Sequence, residues 1–190
     1  GLFPWLLFAN AVNRGVTAYL DNAGLIARVP LPPSLYVHAR VLGSVIVDAA
    51  GLLIVMGVLV AFGLRFEAVG AMAALWGLAV LAATALALAR MAALLQVFVR
   101  DFAALVGQLI GLGFFLAPVL YERTQLPAAM ADALGWNPLV APLEAIRHGL
   151  SGQGELPWTA LGVSSLVALL LLGASLGLQR RAGRHIEDFL

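Results

Sequence analysis

Four stretches of about twenty residues in this chain carry almost no charge, and that length constrains the fold more than anything else in it. They run over 41–64, broken only by Asp48, and over 68–89, 102–121 and 158–179. An apolar helix of about twenty residues crosses the ~30 Å hydrocarbon core of a bilayer. A fifth stretch, 2–20, is interrupted by Asn10, Asn13 and Arg14. It reads either as a span lining something polar or as one entering the interface near Arg14. The expectation is an all-α integral membrane protein, with about five spans in a single domain over 1–190. Composition supports the class: 62% of residues are hydrophobic and 11% charged, against roughly half and a quarter in soluble domains.

Arginine placement orients the spans, because basic residues concentrate in cytoplasmic connections. Arg28, Arg40, Arg90, Arg100, Arg180, Arg181 and Arg184 fall on one side; Arg65, Arg123 and Arg147 fall on the other. This puts the 21–40 loop, the 90–101 turn and the C-terminus in the cytoplasm. The 65–67 turn and the 122–157 segment then face outside. A net charge of +1 argues against a nucleic-acid partner, and the absence of cysteine excludes a disulfide framework or a thiolate metal site.

Two connections are too rich for simple turns. In the 21–40 loop, Asp21-Asn22-Ala23-Gly24 signals a turn or helix start. Leu25-Ile26-Ala27-Arg28-Val29 then forms a short helix, which Pro30, Pro32 and Pro33 end. This is either an interfacial element shielding its leucines or a docking site for a cytoplasmic partner. In the 122–157 segment, Pro127 starts one helix running to about Leu134. Asn137-Pro138 caps a second, which runs to His148 and stops at Gly149. Glu144 and Arg147 are spaced to pair on one face of it. Neither helix reaches spanning length; they are either outer-surface helices or helices dipping partway into the membrane, and the density of Leu139, Val140, Leu143 and Ile146 favours dipping.

Enzymatic chemistry is absent from the pattern. There is no phosphate-binding loop and no His-Glu-x-x-His helix. Ser44, Ser164, Ser165 and Ser175 lie in expected spans that hold no histidine, so they read as helix-packing residues. Asp48 lies about 10 Å into its span by helical rise. Level matching in a hairpin turning at Phe66 pairs it with Thr84, and an inward rotamer of Arg90 is the other candidate contact. Asp48 is either a proton or ion site or, as the lack of a second titratable neighbour favours, intramembrane polar packing. The Gly107-x-x-x-Gly111 and Gly173-x-x-x-Gly177 motifs allow close helix approach, within one chain or between two. Aromatic residues cluster at span ends as an interfacial belt does, with Trp5, Phe8, Phe115 and Tyr121 set aside as conduit candidates.

Several stretches resemble the type-2 ABC-transporter permeases that export polysaccharides such as O-antigen, capsule and teichoic acid. They are Gly-Leu-Phe-Pro-Trp-Leu-Leu-Phe-Ala-Asn at 1–10, Asn-Ala-Gly-Leu-Ile-Ala-Arg-Val at 22–29 and Val-Arg-Asp-Phe at 99–102. The most specific are Phe-Phe-Leu-Ala-Pro-Val-Leu-Tyr at 114–121 and Trp-Asn-Pro-Leu at 136–139, followed by Glu144 and Arg147. The resemblance implies a homodimeric channel driven by two separate ATPase subunits that bind ATP and magnesium, with no cofactor in this chain. It implies a coupling helix at Leu25, Ile26, Arg28, Val29 and Pro30. It implies an outer gate built from Phe115, Pro118, Tyr121, Trp136, Asn137 and Pro138. The cargo would be a lipid-linked glycan crossing the bacterial inner membrane. Family members carry an amphipathic helix and a first span ahead of the Gly-Leu-Phe-Pro-Trp segment, so the expectation is a permease lacking both. The rival expectations are an exporter of drugs or small lipids and a non-transport scaffold for envelope assembly.

Overall fold

A computed structural model describes residues 1–182 apart from 27, 30, 64–66, 122 and 153–155. Pro30, and the contributions of Arg65, Glu122 and Arg184 to the charge count, lie outside the described residues. The described chain is helical, without strands. Its elements are α1 (Leu2–Val16), α2 (Ala18–Asp21), α3 (Ala23–Ile26), α4 (Ser34–Ala61), α5 (Ala68–Phe98), α6 (Phe102–Phe115), a 3-10 turn at Arg123–Gln125, α7 (Ala128–Gly135), α8 (Val140–Ser151) and α9 (Trp158–Ala182).

Three of these helices, α4, α5 and α9, are long and apolar enough to cross a membrane, and α6 is a shorter apolar helix. α4 starts earlier than expected. Pro33 caps it, a position where proline's missing N–H costs nothing. His38 and Arg40 therefore lie on the helix, and the expectation of a histidine-free set of spans fails at His38. The 102–121 stretch is helical only to Phe115. Fourteen residues reach ~21 Å by helical rise, short of a bilayer core. The reason is Pro118, which disfavours helical backbone at Ala117 and cannot donate to the preceding turn.

The helices gather around α5. It packs against α8, α1 and α9, while α1 wedges between α4 and α5. The closest approaches are made where side chains are missing. A Cβ on Gly77 would strike the Pro142 carbonyl, one on Gly149 would strike the Gly70 carbonyl, and one on Gly15 would meet Ala89 and Val41. Two paired aromatic contacts pin the rest. Trp5 packs edge-on to Phe114 at 6.1 Å between α1 and α6. Trp76 and Trp158 lie 6.2 Å apart between α5 and α9, where Trp76 Nε1 donates to Ser165 Oγ at 2.9 Å.

The wedge of α1 overturns the expected Asp48–Thr84 pairing. Thr84 Oγ1 donates within its own helix to the Val80 carbonyl at 2.8 Å. Asp48 accepts instead from Asn10 Nδ2 of α1, at 3.2 and 3.3 Å to its two oxygens, and from Ser44 Oγ at 3.3 Å. Hairpin level matching assumed that α4 and α5 are direct neighbours, and they are separated along most of their length. Arg90 does not turn toward Asp48 either; its guanidinium donates to Gln179 Oε1 of α9. The two Gly-x-x-x-Gly motifs make no tight contact among the described residues: a Cβ at Gly111, Gly173 or Gly177 would meet none of them within 4 Å.

Candidate functional site

The α8 end of the bundle is closed by a cap whose logic is backbone satisfaction. A helix end leaves carbonyls without intrahelical partners, and non-helical backbone at membrane depth needs partners from protein or water. α6 ends at Phe115 and is followed by the turns of Leu116–Tyr121. Three side chains take up the freed carbonyls. Tyr121 Oη donates to the Phe115 carbonyl at 2.9 Å. Asn137 Nδ2 donates to the Leu116 carbonyl at 3.1 Å. Arg147 of α8 donates to the carbonyls of Tyr121 at 3.0 Å, Val119 at 3.3 Å and Pro118. Ala117, Pro118 and Val119 are buried under this network, while Phe115, Leu116 and Leu120 point outward.

The same network corrects two local expectations. Arg147 is not the helical partner of Glu144: its two terminal nitrogens serve the turn, and the ion pair of Glu144 is with Arg123 at 3.8 Å. Burial raises the Glu144 carboxyl above the ordinary range, opposed by the charges of Arg123 and Arg147. Asn137 does not cap a helix starting at Pro138. Its Oδ1 accepts from the Leu139 N–H at 3.0 Å, an Asx turn, and α8 begins at Val140. That helix also runs past Gly149 and stops at Gly152 (φ 65°), where a left-handed residue suits glycine. Gly149 is smaller for another reason, its contact with Gly70. α7 starts one residue after Pro127, close to expectation, and is unburied throughout. Trp136 follows it, 90% exposed. Of the six expected gate residues, Phe115, Pro118, Tyr121 and Asn137 meet in the cap, Pro138 lies in its Asx turn, and Trp136 stands free beside it.

The opposite end carries the expected coupling element. α2 and α3 form one hydrogen-bonded unit: Asn22 Nδ2 donates to the Ala18 carbonyl at 2.8 Å, and the Ile26 N–H donates to the Asn22 carbonyl at 2.9 Å. Asp21 accepts from Thr17 Oγ1 at 2.8 Å and pairs with Arg40 of α4 at 3.1 Å. Leu25, Arg28 and Val29 are exposed, whereas Ile26 is buried in the core. The five expected residues therefore divide: Ile26 anchors the element, Leu25, Arg28 and Val29 form its outer surface, and Pro30 lies outside the described residues.

The sequence that builds this bundle has relatives among known proteins. The family model described as "ABC-2 type transporter" matches residues 26–150. The chain belongs to this family. It is similar over its whole length to two proteins of Klebsiella pneumoniae called "O-antigen export system permease protein RfbA", at 24% and 23% identity across 73% of their length. It is 28% identical to a Myxococcus xanthus protein of the same name, across 89% of this chain and 66% of that one.

As an ABC-2 permease, the chain is an integral membrane protein and a transport subunit without a catalytic domain. Permeases of this family generally pair with ABC ATPase subunits. The two further aromatics expected to line a conduit, Trp5 and Phe8, are 4% and 3% exposed. They face inward, onto an almost wholly apolar pocket of about 380 Å³ between α1, α5 and α6. Within one permease chain, the exposed face of α1 presents Phe3, Leu6, Asn13 and Arg14 instead. The helical period separates these two faces, but it cannot say which faces the chain's own core. The signal that would have found Arg147's role was the proline-containing turn itself, because five carbonyls there needed donors.

Proposed function

We propose that this permease is the membrane-spanning subunit of an ATP-driven exporter that moves a lipid-linked surface polysaccharide of the O-antigen, capsule or teichoic acid type across the bacterial inner membrane. The observation that carries the reading is the similarity of this whole chain to 73% of the length of O-antigen export permeases. The cap supports it: an ordered, carbonyl-satisfied turn at one membrane face is what a closed gate requires.

In this reading the chain makes about five spans. The set is completed by α1 together with α2 and by α6 together with the Leu116–Tyr121 turns, since neither α1 nor α6 alone is long enough. α7 and α8 are re-entrant from the outside, and the C-terminus is cytoplasmic. Two copies form the channel and two ATPases dock on α2–α3 through Leu25, Arg28 and Val29. Phe115, Leu120 and Trp136 rim the outer exit, where sugar rings stack on exposed aromatic faces. ATP and magnesium bind the partner.

The test is reconstitution of the permease with its co-encoded ATPase in proteoliposomes. ATP-dependent movement of a lipid-linked oligosaccharide across the bilayer is the expected result. R28E and L25A should insert normally and uncouple hydrolysis from movement. Transport of an amphiphilic drug with no movement of the oligosaccharide overturns the cargo assignment, and purification with no ATPase attached points to a scaffold.

A further inference from the structure

One buried polar cluster is used by neither the cap nor the docking surface. Tyr19 of α2 is 1% exposed and Arg90 of α5 is 4% exposed. Gln179 of α9 joins them. Its Oε1 accepts from Arg90 Nε at 2.9 Å and from Arg90 Nη2, and its Nε2 donates to Tyr19 Oη at 2.8 Å. The orientation of the amide is dictated by chemistry. Arginine has donors only, so the carboxamide oxygen must face it, and the nitrogen is left for the tyrosine. Three elements remote in sequence thus meet in one directional chain of hydrogen bonds.

We propose that Tyr19, Gln179 and Arg90 are positioning residues for transport, forming the joint through which movement of α2–α3 enters α5 and α9, with α5 as the strut that carries it to the cap. The proposal rests on the reading of α2–α3 as the ATPase-docking element. Tyr19 sits in the same hydrogen-bonded unit as the docking surface, so displacing α3 displaces Tyr19. A buried, satisfied network transmits such a displacement because breaking it strands polar groups in a low-dielectric interior. Arg90, expected in a cytoplasmic 90–101 turn, lies instead on α5, which runs on to Phe98, and is buried there. An arginine turned to the interior of a membrane bundle is costly, and such residues generally serve function.

The strut is stiff at its other end. α5 is 31 residues long, about 46 Å by helical rise. It meets α8 at Gly77 against the Pro142 carbonyl and at Gly70 against Gly149. These contacts are close to backbone, with little side chain in between to absorb a shift. α8 carries Arg147, which holds the turn carbonyls of the cap. A continuous path of rigid elements and paired polar groups therefore runs from the docking surface to the exit, the kind of network that carries coupling between distant sites.

The chain has no cysteine, so single labels report cleanly. G24C places a fluorophore on α3, where an added Cβ meets open space. L120C places one on the cap turn, at a residue 72% exposed. In the complex with the co-encoded ATPase, a non-hydrolysable ATP analogue should shift both signals. In Q179L the α3 shift should persist while the cap shift falls about five-fold or more, the low end of site-to-site couplings. Y19F, which removes a single oxygen and keeps the packing, should weaken the cap shift in the same direction and guards against misfolding of Q179L. Full cap shifts in Y19F and in any folded Q179L overturn the joint. A silent α3 probe in the parent complex overturns the docking reading, and the joint with it; a responsive α3 probe with an undiminished cap signal sinks the joint alone.

Discussion

α4 and α5 are neighbours in sequence and equally apolar, yet 11% of the most apolar window of α4 is buried within the chain against 56% of that of α5. The difference lies in side-chain size. α5 presents Gly70, Ala73, Gly77, Ala85, Ala89 and Ala93 to its neighbours, so backbones approach closely, as small residues permit between membrane helices. α4 turns Ile46, Val47, Leu53 and Ile54 outward. Its glycines, Gly43, Gly51 and Gly57, have nothing within 4 Å of an added Cβ. In a membrane, hydropathy says that a helix inserts; small residues say which insert is the hub.

The sharpest way to break this comparison is to enlarge glycines on both helices. G77V and G149L push atoms against backbone that has no rotamer to yield, so each should cost about 3 kcal/mol or more, the upper end of overpacking penalties. G51A and G57A on α4 should be neutral or stabilising by up to ~1 kcal/mol, from helix propensity alone. Thermal unfolding in detergent or bicelles measures both sets. Equal losses on the two helices would show that α4 has a tight partner of its own, and loss of assembly at unchanged unfolding temperature would mark its open face as a contact between copies.

The cap extends the comparison from α5 to what α5 supports. R147Q keeps an amide donor but cannot reach three carbonyls at once. It should cost about 2–3 kcal/mol, the penalty for leaving buried acceptors unpaired, and should raise labelling of L120C. An R147Q protein as stable as the parent would show that water satisfies the turn.

Asp48 probes the looser side. Its carboxylate joins α4 to α1 through Asn10, and D48N keeps most of that geometry. Hydrogen bonds between membrane helices average about 0.6 kcal/mol, so the loss should be of that size, with transport unchanged. Loss of transport without loss of stability would instead assign Asp48 a role in moving charge.

What could be read beforehand follows the same division. Long apolar runs located α4, α5 and α9 because span length is a property of the run itself. Pro127 was legible because proline acts locally; the short helix expected over Leu25–Val29 lies instead at Ala23–Ile26, with Arg28 and Val29 in the turn that follows it. The partners of Asp48, Arg90 and Arg147 were not, because each depends on which helices touch. Inserting α1 between α4 and α5 replaced Thr84 by Asn10, and no periodicity within α4 or α5 records that insertion. Trp5 and Phe8 share a face of α1 as the helical period requires, but which face meets the core was decided by α5 and α6.

The smallest effect belongs to Glu144, and its sign is the informative part. α8 is too short to span, and burial there raises the carboxyl's affinity for protons more than Arg123 and Arg147 lower it. A group with a raised folded-state pKa contributes stability that is fully present below its unfolded pKa and lost as pH rises through the folded one. At pH 4 the parent and E144Q should therefore unfold at the same temperature, since both carry a neutral side chain. As pH rises toward 8 the parent should fall behind E144Q, because its ionised carboxylate sits in a site that favours the neutral form. If the parent gains on E144Q over that range, the Arg123 pair outweighs burial. The α8 end would then be held by charge pairing rather than by the glycine contacts with α5 and the carbonyl network of Arg147.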